Sequence, residues 1–319
     1  MDRRTFLQAS GLSGMPLAAA ESPMPMATLG KTGLKVSRFC LGGYHMRVNG
    51  EENAIKMIHH AMELGVNFFD SAAKYHNGES DVTYGKALEG GRRQRVILMS
   101  KAEKRDAKSA MEQLENTLKR MKTDYLDLWQ CHEVARHDEV DQMFGPGGSL
   151  EAFVKAKKEG KVRHIGFTGH HDPSVHLRLL EGFDGWETVQ HPVNLIDPHY
   201  LSFTYNVLPR VKQKGLGTLA MKSNAIGNIT KNKIAPIEEC LRFSLSHDPD
   251  TVVSGPQTIA ELEQNVAVIK AWKKMTPAEI SSVLERTRKG QIGSKIETYK
   301  KPEPYLAASY RPHQDGDAD

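Results

Sequence analysis

The stretch GVNFFDSAAKY, residues 65–75, sets an acid and a phenol five residues apart at the end of an apolar run. Val66, Asn67, Phe68 and Phe69 read as a short buried strand, Asp70 stands where the strand meets its loop, and Tyr75 follows in that loop. Two further runs end in the same way. RVILMSK, residues 95–101, ends on Lys101, and LDLWQCH, residues 126–132, ends on His132. A carboxylate, a phenol, an ammonium and an imidazole at successive strand ends make an acid–base set. A free phenol has a pKa of about 10, but beside an ammonium it can give up its proton near neutral pH. The chemistry that suits the set is reduction of a carbonyl. Hydride arrives at carbon, the oxygen gains negative charge, and Tyr75 supplies the proton. Lys101 is expected to lower the phenol's pKa, Asp70 to pair with Lys101, and His132 to give the oxygen a second hydrogen bond. Singly, Asp70 reads as a helix N-cap, Lys101 as a solvated strand end and His132 as a core histidine. Four such groups at adjacent strand ends call for one explanation.

Positioning them takes a fold that gathers strand ends. Short apolar runs bounded by turn residues fall at 36–41, 66–70, 95–101, 126–132, 164–168, 188–193, 218–222 and 251–254. Helical spacing lies between them: Ala54, Ile55, Ile58, Ala61 and Met62; Met111, Leu114, Leu118 and Met121; Leu262, Val266 and Ile269. Asp172-Pro173 and Ala235-Pro236 read as helix starts. Eight strand–helix units in about 250 residues predict an α/β chain folded as a single-domain (β/α)8 TIM barrel, whose strand C-termini all face one mouth. A doubly wound sheet is the alternative, but no G-x-G-x-x-G opens a helix here. The polar stretch 133–149, with its Gly145-Pro146-Gly147-Gly148 run, reads as a long loop over the mouth, either a lid or a disordered surface loop. The tail 300–319, rich in proline and charge, is expected to be unpacked.

Composition narrows the function classes. The chain has 319 residues, 39% hydrophobic and 26% charged, and a net charge of +4 spread along its length, which gives no basis for a nucleic-acid partner. Cys40, Cys131 and Cys240 are far apart and read as buried free thiols. Residues 1–20 carry Arg3-Arg4 before Thr5-Phe6-Leu7, a weakly apolar run and Ala18-Ala19-Ala20. This resembles a twin-arginine export signal, so the translocation machinery is an expected partner and a periplasmic or otherwise exported location is expected. No later segment has the ~18 apolar residues of a stable membrane span.

From about residue 26 to about residue 269 the chain resembles the aldo-keto reductase family. LGKTGLKVSRFCLGG resembles the family's opening hairpin and first strand, GVNFFDSAAKYHNGES its Asp/Tyr motif, YLDLWQCH its histidine strand, GKVRHIGFTGH its fifth-strand motif, and TVVSGPQTIAELEQNV its adenine-side segment. The resemblance implies a barrel domain over 26–275 with an N-terminal hairpin, followed by a C-terminal helix and flexible tail over 276–319. It implies a catalytic tetrad of Asp70, Tyr75, Lys101 and His132. It also implies an NAD(P)(H) cofactor bound without a Rossmann domain, and a small-molecule carbonyl or alcohol substrate (aldehyde, ketone or sugar-like). The implied cofactor contacts are Gly43, Tyr44, Asp70, Thr168, Gln190, Met221, Lys222, Gly255, Gln264 and Asn265. Thr168-Gly169 stands where many members have Ser-Asn, and Met221 replaces the usual stacking aromatic. Gly255 and Glu261 stand where basic residues usually hold the 2′-phosphate, so NADP is the family default while this chain leans towards NAD. No cysteine follows Cys240, so the iron–sulfur segment of some relatives is not expected. His132-Glu133 and His137 are spaced one residue too widely for a zinc helix, and His59-His60 and His170-His171 read as helix-surface and loop positions, so no metal site is assigned. Two rival functions are a non-catalytic, cofactor-retaining sensor or partner-binding barrel, and a barrel glycosidase using Asp70 and Glu133.

Overall fold

A computed structural model of the chain describes residues 22–288 and 295–301. The export signal expected at 1–20 and the tail beyond 301 lie outside the described residues. Strands β1 (Met26–Thr28) and β2 (Lys35–Ser37) form an antiparallel hairpin. Strands β3 (Phe39–Gly42), β4 (Phe68–Asp70), β5 (Ile97–Ala102), β6 (Leu126–Cys131), β7 (Val162–Thr168), β8 (Thr188–Pro192), β9 (Gly217–Met221) and β10 (Thr251–Ser254) pair in parallel, and β10 closes onto β3 to complete an eight-stranded barrel. The expected (β/α)8 barrel and its N-terminal hairpin are both present.

The run expected as one strand at 36–41 is two elements. Arg38 hands the chain from hairpin to barrel: its N–H donates to the Pro25 carbonyl at 2.8 Å, and its carbonyl accepts from Val252 N at 2.9 Å. The hairpin plugs the floor. Leu29 and Val36 pack with Cys40, Phe68, Met99, Leu128 and Leu219 in the barrel interior. A Cβ on Gly30 would meet Gly217 N at 2.1 Å, so only glycine allows the hairpin to seat this closely.

Strand alternation separates two cores. Phe68, Met99 and Leu128 point inward, while their neighbours Phe69, Leu98 and Trp129 point outward into the cluster between strands and helices. Each fully buried ring contributes roughly 1.5–3 kcal/mol. The same parity, carried two residues on, turns Asp70, Lys101 and Gln130 into the barrel at its C-terminal end. The outer helices have ordinary starts. Asp106 accepts from Ser109 N at 2.8 Å ahead of helix Ala107–Met121, and Asp172 accepts from Ser174 N at 2.7 Å ahead of helix Pro173–Gly182. Cys40, Cys131 and Cys240 are buried and free, as expected.

Two expectations need correction. Residues 133–149 are not a loose lid, because they contain helix His137–Phe144, whose Val140 and Met143 sit in the main core. The glycine run behind it is pinned. Gly147 O accepts from Ala107 N at 2.8 Å, and a Cβ on Gly148 would meet carbonyl oxygens of Gln142 and Met143 at 2.3 Å. The second correction is at Lys300, expected to start an unpacked tail. Helix Pro277–Arg288 buries Val283 and Thr287, and beyond it Glu297, Tyr299 and Lys300 are buried too. The Lys300 ammonium donates to Asp197 at 2.8 Å and to the Tyr200 carbonyl at 2.6 Å, and pairs with Glu297 at 2.6 Å. A charge so enclosed persists only when paired and hydrogen-bonded, as this one is.

Candidate active site

At the C-terminal mouth, Lys101 is enclosed, with 1% of its side chain exposed. Its ammonium forms an ion pair with the Asp70 carboxylate, donates to the Ser71 carbonyl at 2.8 Å, and lies 3.4 Å from the Tyr75 hydroxyl. The Tyr75 ring meets the His132 ring edge-on, with centroids 5.5 Å apart. Strand parity supplies Asp70 and Lys101, and the turn Ala72–Tyr75, closed by Tyr75 N to Ala72 O at 2.9 Å, brings the phenol back over the lysine. Behind them, Ser71 donates to Asp81 at 2.6 Å and Thr117 donates to Asp81 at 2.9 Å, which braces the loop after β4.

The electrostatics depart from expectation at Tyr75. Desolvation, followed by the Asp70 and Glu133 carboxylates, pushes the phenol well above its ordinary pKa. Its resting form is therefore the neutral phenol, a proton donor: burial and the nearby carboxylates together outweigh the pull of the Lys101 ammonium 3.4 Å away. Burial raises the Asp70 carboxyl, with Lys101 working against that rise. Burial, followed by the Lys101 charge, holds His132 far below the ordinary imidazole value, so it is neutral. His132 Nδ1 is buried and has no partner among the described residues.

A cavity of about 490 Å³ opens from this cluster across the mouth. Tyr44, Asp70, Tyr75, Gln190, Met221, Lys222, Gly255, Gln264 and Asn265 line it, so most of the expected cofactor contacts face one space. Lys101 and His132 stand behind the lining. Gly43 and Thr168 are also outside it. A Cβ on Gly43 would meet the Asp70 carbonyl at 2.3 Å, while buried Thr168 pairs in register with Gln190 and its carbonyl accepts from Val134 N. The lining also includes residues that sequence reasoning missed: His45, Ser223, Asn224, Ile226 and Gln257. No strand pattern marks them, because they sit on the connections beyond the strand ends, His45 and Ile226 in short 3-10 turns.

The cavity fits an extended nicotinamide dinucleotide by its unpaired groups. Gln190 Oε1 is a buried acceptor without a partner among the described residues, suited to a carboxamide N–H. Its Nε2 lies 3.7 Å from the Met221 sulfur. Ser223 Oγ is likewise unpaired and buried. Beside it burial lowers the Lys222 ammonium to about 8, and its Nζ sits 4.7 Å from the Tyr299 ring centroid. Together Ser223 and Lys222 offer a hydroxyl and a cation to phosphate oxygens. At the far end Asn265 donates to Ser254 Oγ at 3.2 Å and Gln264 to Glu238 at 2.6 Å. Glu261 accepts from Gln257 N at 2.7 Å, so a carboxylate stands at this rim.

One group at the mouth was not foreseen. Glu133 pairs with Lys74 through one carboxylate oxygen and receives His170 and His171 on the other. Hydrogen bonds from the two histidines, then Lys74, hold its carboxyl far below the ordinary range. His170, lowered to about 4 mainly by burial, meets the Tyr299 ring edge-on at 5.4 Å. The adjacent pair His170-His171 was the only signal in the sequence, and its partner lies 37 residues earlier on another strand end.

A closed parallel barrel with an acid–base cluster at its C-terminal mouth and a long cavity beside it defines a barrel oxidoreductase without a separate nucleotide domain. The chain belongs to the aldo/keto reductase family, whose model matches residues 38–234. Among curated relatives, the uncharacterized oxidoreductase YrpG of Bacillus subtilis is 30% identical over 299 residues, covering 82% of this chain and 86% of that protein. L-galactose dehydrogenase of Arabidopsis thaliana is 25% identical over 312 residues, covering 82% and 94% respectively. Among solved structures, the aldo-keto reductase AKR11C1 from Bacillus halodurans in its holo form superposes with a TM-score of 0.71 at 24% identity, covering 82% of this chain and 96% of that one.

Proposed function

We propose that this chain is an NAD(P)(H)-dependent oxidoreductase that interconverts a carbonyl and an alcohol, with Tyr75 as general acid in reduction and general base in oxidation. The observation that carries the reading is the Lys101 ammonium, held between the Asp70 carboxylate and the Tyr75 hydroxyl. A bound dinucleotide supplies or accepts the hydride. The chain's own groups manage the oxygen. Tyr75 gives it a proton, Lys101 stabilises the phenolate left behind, and Asp70 holds Lys101 in place. Neutral His132 donates a further hydrogen bond to the developing charge. Gln190 and Met221, both on the cavity lining, would hold the nicotinamide end of a bound dinucleotide. Replacing Tyr75 with phenylalanine tests this assignment, because it removes the proton donor and keeps the ring.

The substrate we favour is a hydroxylated, sugar-like carbonyl compound. Hydroxyl, imidazole and ammonium groups surround the mouth, and a relative matched over most of its length is named for dehydrogenating L-galactose. Gly255 and Glu261 support NAD(H) over NADP(H), since a carboxylate beside a 2′-phosphate is repulsive. The Arg3-Arg4 motif supports export through the twin-arginine route to the periplasm, with the cofactor loaded before transport. A glycosidase would need Asp70 and Glu133 to serve as acid and nucleophile. Ion pairs with Lys101 and Lys74 argue against both roles.

A further inference from the structure

We propose that Glu133, His170 and His171 form a binding site for one divalent transition-metal ion of the zinc type, at the barrel mouth beside the reaction centre. The donors come from two adjacent strand ends. Glu133 follows β6 by two residues, and the histidines follow β7. The two loops are tied together by Val134 N donating to the Thr168 carbonyl at 2.9 Å, and His171 is held by its carbonyl accepting from Lys301 N at 3.1 Å. Three ligand atoms, one from each side chain, lie within 4.8 Å of one another.

The spacing fits a shared ion. Glu133 Oε1 lies 3.3 Å from His170 Nε2 and 3.4 Å from His171 Nε2. With metal–ligand bonds of about 2.0–2.2 Å, the edge of a tetrahedral site is roughly 3.3–3.6 Å. Two imidazoles and one carboxylate suit zinc, cobalt or nickel far better than calcium or magnesium, which prefer oxygen donors. The second carboxylate oxygen is taken by Lys74, the kind of outer contact that orients a metal-bound carboxylate. The side chains of His170, His171 and Glu133 remain 13%, 18% and 28% exposed, so an ion can enter and the fourth position stays open to water or a substrate oxygen. Lys74 and Lys222 are nearby cations that weaken the site, and they set it apart from a fully closed structural zinc centre.

The site also has a functional position. Lys74 adjoins Tyr75, and Glu133 adjoins His132, so an ion here would sit one residue from two members of the acid–base cluster. The proposal does not depend on the redox reading, and its test needs no turnover. Purified protein, stripped with chelator and free of dinucleotide, is titrated with Zn²⁺ by calorimetry and with Co²⁺ by visible absorption. One equivalent is expected to bind, with a tetrahedral cobalt spectrum. Glu133→Gln and His171→Gln should each weaken binding at least ~10-fold, since losing even an outer contact to a metal ligand costs that much. His60→Gln, which removes a surface histidine paired with Glu263, should leave binding unchanged. Lack of uptake by the parent protein below ~1 mM Zn²⁺ would overturn the proposal. So would binding that survives both ligand substitutions, or an octahedral cobalt spectrum unaffected by them.

Discussion

The Lys101 ammonium lies 3.4 Å from the Tyr75 hydroxyl while its charge is paired with Asp70, although the two residues belong to different strand–loop units of the barrel. A proton donor and the group that tolerates its loss are thus fixed before any substrate arrives. Such preorganisation saves the solvent rearrangement that the same step would need in water.

Removing the Tyr75 hydroxyl should therefore abolish most of the chemistry and little else. For Tyr75→Phe the expected loss in kcat is at least ~10²-fold, with the dinucleotide dissociation constant unchanged. Steady-state kinetics with a generic aldehyde and a fluorescence titration of cofactor read the two quantities separately. Turnover near the parent level would remove Tyr75 from the role of acid.

Asp70→Asn leaves Lys101 as a buried ammonium without its counter-charge. Breaking one partner of a buried pair typically costs about 3–5 kcal/mol. Urea denaturation without cofactor should register that loss together with a fall in kcat. Unchanged stability with full activity would mean that the pair is dispensable.

Cofactor choice should follow the acidic rim. Dissociation constants measured side by side are expected to favour NAD(H), or to show little discrimination, and Glu261→Gln should improve NADP(H) binding. A hundredfold preference of the parent protein for NADP(H) would instead assign Lys222, or another cation, to the 2′-phosphate.

Glu187 governs part of the acid stability. Burial raises its carboxyl, but His164, Lys157 and the Ile165 N–H together bring it down to about 2. A carboxyl depressed in the folded state adds stability that is fully present above its unfolded pKa of about 4.3. That contribution is lost as pH falls through about 2. Its size is on the order of 3 kcal/mol. Glu187→Gln should lower the melting temperature at pH 7 and flatten the stability curve between roughly pH 4.5 and 2. Parallel curves for parent and variant would contradict this.

Export by the proposed twin-arginine route is tested at Arg3 and Arg4. Replacing Arg3 and Arg4 by lysine should retain the protein in the cytoplasm, and the exported parent should carry near-stoichiometric dinucleotide. Exported protein that emerges empty would point to a partner that supplies reductant outside.

Much of this architecture was legible because alternation and chemistry agree along β4, β5 and β6. Phe68, Met99 and Leu128 fill the interior, and the next inward positions are Asp70, Lys101 and Gln130. The break at Arg38 was hidden because Val36 and Ser37 are as buried as Phe39, Cys40 and Leu41 after them, so the polar pair Ser37-Arg38 reads as an interruption within one strand. Helix His137–Phe144 was hidden by its shortness: Val140, Met143 and Phe144 are its apolar residues, set among polar ones and followed directly by a glycine-rich run. Lys300 was misread because its charge suggests solvent, and the carboxylate that holds it, Asp197, lies 103 residues away. The Glu133, His170 and His171 cluster depends on two loops meeting across a strand boundary, which local spacing does not encode.

The pairing of β3 with β10 bears on how the molecule is made. During synthesis the first barrel strand has one neighbour early, in β4, and meets its second only after nearly every other strand has left the ribosome. Until then Phe39–Gly42 presents an open edge that can recruit a foreign strand. Lys300 comes later still, so Asp197 waits for a counter-charge that is made 103 residues after it. Growing chains of this protein should therefore need that edge protected until β10 has been made, and a translocase of the proposed kind, accepting only folded cargo, would in effect be checking that the barrel has closed.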